Sequence, residues 1–176
     1  MKAESTNDRQ SPDSEGMSND LIKALIDNYR QNQMNAINET LGITDANSIW
    51  FDLPKLKNFI NQIEHEATKI NPECTLEDLG IRFYYAAYPK IENWDIMESH
   101  PVPQEYSERH TLIMIPTLKK ENEDGEIINF DFNSLQNKKL GNLALNARGS
   151  KPTQDNESLG ENQGTLSPPA SSIGML

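Results

Sequence analysis

The sequence predicts an α+β domain: two N-terminal helices packed on a small mixed or antiparallel β-sheet, with disordered N- and C-terminal tails. Three observations predict it. Apolar residues recur at three- and four-residue steps over 21–41 and again over 56–70, the period of a helix with one buried stripe. They alternate with their neighbours over 81–88 and 111–115, the period of a strand. Residues 1–17 and 141–176 carry Ser, Asp, Asn, Gly and Pro with apolar residues only in isolation. Such segments cannot offset their ordering entropy. A single domain over 18–140 is left, and a domain that size buries roughly two thirds of its unfolded surface.

The first helix is read from Leu21, Ile22, Leu25, Ile26, Tyr29, Ala36, Ile37 and Leu41. Ser18 or Asn19 can accept the orphan amides at its start, and Gly42 can take the left-handed conformation that ends it. Ser48 to Phe51 is a short extended piece. Asp52 is placed to cap a second helix, with Pro54 in its first turn, where a missing N–H is harmless. Leu56, Phe59, Ile60, Ile63, Ala67 and Ile70 form its stripe, and Pro72 stops it. "GIRFYYAAY" then sets Ile81, Phe83, Tyr85 and Ala87 against Arg82, Tyr84, Ala86 and Tyr88. That pattern suits a strand with one buried and one partly covered face. Residues 89–109 are a long loop rich in acids and prolines, followed by the strand "RHTLIMIPT". Asp124-Gly125 signals a hairpin turn into "EIINFDF". If the pieces at 48 and 81 are parallel neighbours, the helix between them is a right-handed crossover.

Composition restricts the function classes. The net charge is −11 and only 35% of residues are hydrophobic. An acidic surface repels phosphate backbones and anionic lipid, so neither a nucleic acid nor a membrane is an expected partner. The polar N-terminus has no apolar signal region, and no run of 18 apolar residues occurs. Cys74 is the sole cysteine, which excludes an internal disulfide and four-cysteine zinc sites. A cytoplasmic protein is expected.

Chemistry-bearing residues are few. Arg82, inside an apolar strand, offers a planar fork suited to a carboxylate or phosphate. The plainer alternative, and the favoured one, is a stem covering the sheet while the head reaches water or an internal acid. Tyr84 and Tyr88 share its side by alternation and could form a stacking platform with cation–π support. Strand propensity explains each tyrosine alone. His110 opens a strand, and His65 and His100 lie apart from it with no HxH or HxxxH spacing. No metal site, cofactor or catalytic residue is therefore assigned. Acidic neighbours Glu73, Glu77 and Asp78 argue against a reactive Cys74. The long loop has apolar anchors in Ile91, Trp94, Ile96, Met97 and Tyr106. It is expected to fold over part of the sheet, including the Arg82–Tyr84–Tyr88 face.

The order "NSIWFDLPKLKNFI", "GIRFYYAAYP", "HTLIMIPT" and "GENQGTLSPP" resembles a family of small uncharacterised proteins of Bacteroidota-type bacteria. The resemblance covers 18–118 and 162–169. Ser167 stands where the family pattern has a cysteine, and no second cysteine follows. The resemblance implies a bacterial protein and brings no activity with it. The function favoured is a non-enzymatic binding or interaction module with a protein or peptide partner. Its surface would be the aromatic face at 80–88, with Arg82 as polar anchor, and an exposed strand edge could accept an added strand. The alternative is a small-ligand sensor or enzyme with a pocket between the 89–109 loop and the sheet. There Arg82 would hold an anionic group, and His110 and Tyr88 would be the acid–base pair.

Overall fold

The computed structural model describes residues 16–132 and 159–168. Helix α1 (Asn19–Tyr29) runs through a π-helical turn (Arg30–Met34) into α2 (Asn35–Leu41). Ser18 caps it by accepting the Leu21 amide at 3.2 Å, and Gly42 ends it at φ 69°. The sequence predicts one uninterrupted helix. The wider turn has a local cause: the Asn32 side chain donates to the Asn28 carbonyl at 2.8 Å. It thereby competes for the acceptor that an α-helical Asn32 amide would use.

Strand β1 (Ser48–Trp50) leads to α3 (Leu53–Ile70). Asp52 accepts the Lys55 amide at 2.7 Å at the start of α3, as its sequence position predicts. Strands β2 (Leu79–Ala87), β3 (His110–Glu121) and β4 (Ile127–Asp131) form an antiparallel sheet in the order β2-β3-β4. The β3–β4 connection turns at Gly125, φ 81°, at the expected Asp-Gly pair.

Two expectations are corrected. Strand β1 is not a parallel neighbour of β2. It pairs antiparallel with β5 (Thr165–Ser167) in a separate two-stranded sheet, so there is no crossover unit. The second correction concerns 159–168, placed by the sequence in a low-complexity tail. Leu166 there has 0% exposure. Lys55 reaches the Gln163 carbonyl at 2.8 Å. Gly164 lies so close to the residue that follows β1 that a Cβ would meet Phe51 Cζ at 2.8 Å. Residues 1–15, 133–158 and 169–176, which hold most of the expected tails, lie outside the described residues.

Two apolar clusters hold the fold. Phe59, Ile63 and Ala67 of α3 pack on Met114 and Leu118 of β3 and on Phe132. Ala46, Tyr88, Tyr106 and Leu166 form the other, with Ile49, Trp94, Met97 and Val102 against them. Met114 and Glu161 exchange backbone bonds of 2.9 and 3.1 Å, on the edge of β3 that β4 leaves free. Among the described residues no helix is long and apolar enough to cross a membrane.

Candidate functional site: the open edge and aromatic face of β2

The register of β2 against β3 fixes the direction of every backbone group in β2. Tyr88 donates to the Arg109 carbonyl at 3.0 Å, so Tyr88 bonds toward β3, and by alternation so do Gly80, Arg82, Tyr84 and Ala86. The opposite edge of β3 agrees: Met114, facing Phe83, sends its N–H and C=O to Glu161. Ile81, Phe83, Tyr85 and Ala87 therefore turn their N–H and C=O away from the sheet. Because β2 is an edge strand, those groups have no partner among the described residues.

The same four residues share one face of the sheet with Pro116, Met114, Leu112 and His110. Helix α3 covers the Ile81 end of that face through the cluster around Met114. Its cover stops there: Phe83 is 53% and Tyr85 90% exposed. An open backbone edge and uncovered aromatic side chains thus coincide.

The other face is internally satisfied. Arg82 forms an ion pair with Asp131 of β4, bonds the Asn129 carbonyl at 2.7 Å, and reaches the Tyr84 hydroxyl at 3.5 Å. Tyr84 donates to the other oxygen of Asp131. The Tyr84 contact, with the charge and hydrogen bond of Asp131, pushes the guanidinium above its ordinary value. Arg82 thus spans β3 to clamp β2 to β4, and its fork is engaged inside the protein. The internal-acid alternative describes this residue.

Tyr88 lies apart from that clamp. It is 4% exposed, with its ring 6.3 Å from Trp94 and 5.8 Å from Tyr106. Its hydroxyl donates to the Asn162 carbonyl at 3.1 Å, and burial raises its pKa. The 89–109 loop therefore covers the Tyr88 end of this face, while Arg82 and Tyr84 stay half-buried beyond it.

His110 sits elsewhere. Its Nδ1 pairs with Asp45, a side chain with 0% exposure. The other Asp45 oxygen accepts the His110 and Ala46 amides, each at 2.8 Å. His110 lines a cavity of about 570 Å³ together with Leu25, Tyr29, Ile49, Tyr85 and Leu112. Burial, then Asp45 and Tyr85, push the Tyr29 phenol up, so it remains a neutral donor. This cavity lies between the first helices and the sheet, on the side opposite Arg82 and Tyr84. Arg82 and Tyr88 lie on one face of the sheet and His110 on the other, so Arg82, Tyr88 and His110 do not converge on one cavity.

Asp45, Asp131 and the exposed pair Phe83–Tyr85 are the residues sequence reasoning missed. Alternation groups Phe83 with Tyr85 but does not mark their face as the open one; nothing local marks either aspartate. Among the described residues no group of three His, Cys, Asp or Glu is placed to hold a metal. No family model, curated protein or solved structure matches the chain. Kinship with the family it resembles rests on motif order alone.

Proposed function

We propose that the protein is a non-enzymatic interaction module of a bacterial cytoplasm that accepts an extended polypeptide segment as an added strand along β2. One observation carries this: among the described residues the outward N–H and C=O groups of Ile81, Phe83, Tyr85 and Ala87 are open where Phe83 and Tyr85 are exposed. Folded proteins ordinarily blunt a strand edge with lysine, proline or a bulge. β2 has no lysine or proline, and its register to β3 is unbroken over all 9 residues. Main-chain bonds would supply affinity, and the aromatic side chains selectivity. The contact surface moves from the Arg82 side, where the sequence places it, to the Phe83–Tyr85 side.

Affinity capture of the tagged protein, compared with Tyr85→Lys, tests this. Tyr85 is exposed, so the variant is expected to fold, which a thermal melt verifies. Loss of one stoichiometric partner from the folded variant is the expected result. A partner retained by the variant refutes the surface.

The cavity at His110 favours a second reading, a small-ligand sensor. Its volume lies within the roughly 300–1,000 Å³ of ordinary ligand sites. Asp45 fixes the imidazole tautomer with Nδ1 as donor, which leaves Nε2 for a ligand. Native mass spectrometry of the purified chain, with His110→Ala as control, tests it. A bound small molecule absent from the variant is the supporting result.

A further inference from the structure

We infer that the strand added along β2 is β2 of a second copy, joined antiparallel about a two-fold axis at Tyr84. This rests on the strand-addition reading above and goes beyond it by naming the occupant.

The register follows from the backbone directions. Two such edges exchange bonds only between residues whose N–H and C=O point outward. Leu79 also faces outward, but its N–H is bonded to the Leu76 carbonyl. The residues with both groups open are therefore Ile81, Phe83, Tyr85 and Ala87, and a two-fold centred on Tyr84 pairs all four: Ile81 meets Ala87 of the other copy, and Phe83 meets Tyr85. Centring the axis on Phe83 sets Ala87 against Leu79, whose N–H is already bonded to Leu76, and centring it on Tyr85 sets Ile81 against Pro89, which has no N–H.

In that register the side chains are complementary as well. Within 81–87 the bulk falls off along the strand: Ile81 and Arg82 are large, Ala86 and Ala87 small. Antiparallel self-pairing sets large against small, Ile81 on Ala87 and Arg82 on Ala86, while Tyr84 meets its own copy. The aromatic residues of the exposed face meet each other, the favoured kind of cross-strand pair. Charge agrees. Arg82 is the only charged residue from 79 to 87, and in this register the two arginines lie opposite alanines, not each other. The result is an isologous contact in which both three-stranded sheets join into one continuous sheet. Each chain carries a net charge of −11, so added salt should strengthen the contact by screening repulsion.

Sedimentation velocity of the full chain over a dilution series tests this, with hydrogen exchange read at Ile81, Phe83, Tyr85 and Ala87. The expected species has twice the chain mass of 19.9 kDa, dissociates on dilution, and protects those amides only when associated. Phe83→Pro removes an outward N–H and no bond to β3. Tyr85→Lys places a charge on the edge. Each, once shown to fold by thermal melt, should weaken association by about tenfold or more. A wild-type chain that is monomeric at every concentration overturns the inference. So does a dimer that both folded variants retain, because its contact lies elsewhere. A monomeric chain that still captures a different protein through Tyr85 refutes only the second copy. A monomer with no Tyr85-dependent partner refutes strand addition itself.

Discussion

Replacing Leu166 by alanine tests whether 159–168 belongs to the cooperative fold. Leu166 is fully buried among Tyr88, Tyr106 and Ala46, and its own amide donates to the Tyr106 hydroxyl at 3.3 Å. Truncating a buried leucine costs about 2–5 kcal/mol, the transfer of the lost atoms plus the cavity left behind. Tyrosine rings on two sides are rigid and close the gap poorly, so about 3–4 kcal/mol is expected here. Urea unfolding followed by circular dichroism is the assay. With a slope of about 1.5–2 kcal/mol/M, the midpoint should fall by about 2 M. Ile127→Ala is the control: Ile127 is 73% exposed, and its loss should shift stability by no more than about 0.5 kcal/mol. A Leu166→Ala midpoint indistinguishable from wild type, with an unchanged slope, would refute the packing of β5 into the core.

Asp45→Asn should lower stability by about 2 kcal/mol, read as a melting temperature lower by about 5–10 °C. The amide keeps one acceptor oxygen but turns a donor toward a group that Asp45 now accepts from. An unchanged melt would show that the pair does not pin β3 to the 45–46 segment. Asp78 gives a pH dependence. The Thr75 amide and hydroxyl bond its carboxylate at 2.9 and 2.8 Å and hold its pKa below the ordinary 3.8. A carboxyl depressed on folding stabilises above its unfolded pKa and loses that contribution as pH falls through the folded one. The turn before β2 should therefore loosen only below pH 3.8. Side-chain NMR titration of wild type against Thr75→Val checks this, and an Asp78 pKa unmoved by the substitution contradicts it.

Local chemistry was legible. Ser18, Asp52, Gly42 and the Asp124-Gly125 pair do what their positions predict, because caps and turns depend on neighbours a few residues away. β5 was not legible. Three residues in "GTLSPP" have too little period to read as a strand, and their partner β1 is more than a hundred residues away. The site was half legible. Alternation separated the two faces of β2 correctly, but it cannot say which one a helix covers. α3 reaches only the Ile81 end, which leaves Phe83 and Tyr85 open. Arg82 drew attention as a lone charge in an apolar run. Its partner Asp131 enters from β4, 49 residues on, and His110 is separated from Asp45 by 65 residues. Distances of that kind are set by the fold and leave no trace in spacing.

The pairing of β1 with β5 also orders events during synthesis. A ribosome emits Ser48–Trp50 long before Thr165–Ser167, so the nascent chain can assemble α3 on the β2-β3-β4 sheet first. The cluster around Tyr88 and Tyr106 must wait, unfilled, for Leu166 to emerge. During that interval the apolar wall that Leu166 will cover faces solvent, and the half-made chain offers a sticky surface absent from the finished one. Slower translation through the stretch before 159 would lengthen that exposure. A chaperone that holds nascent chains would be of most use to this protein then.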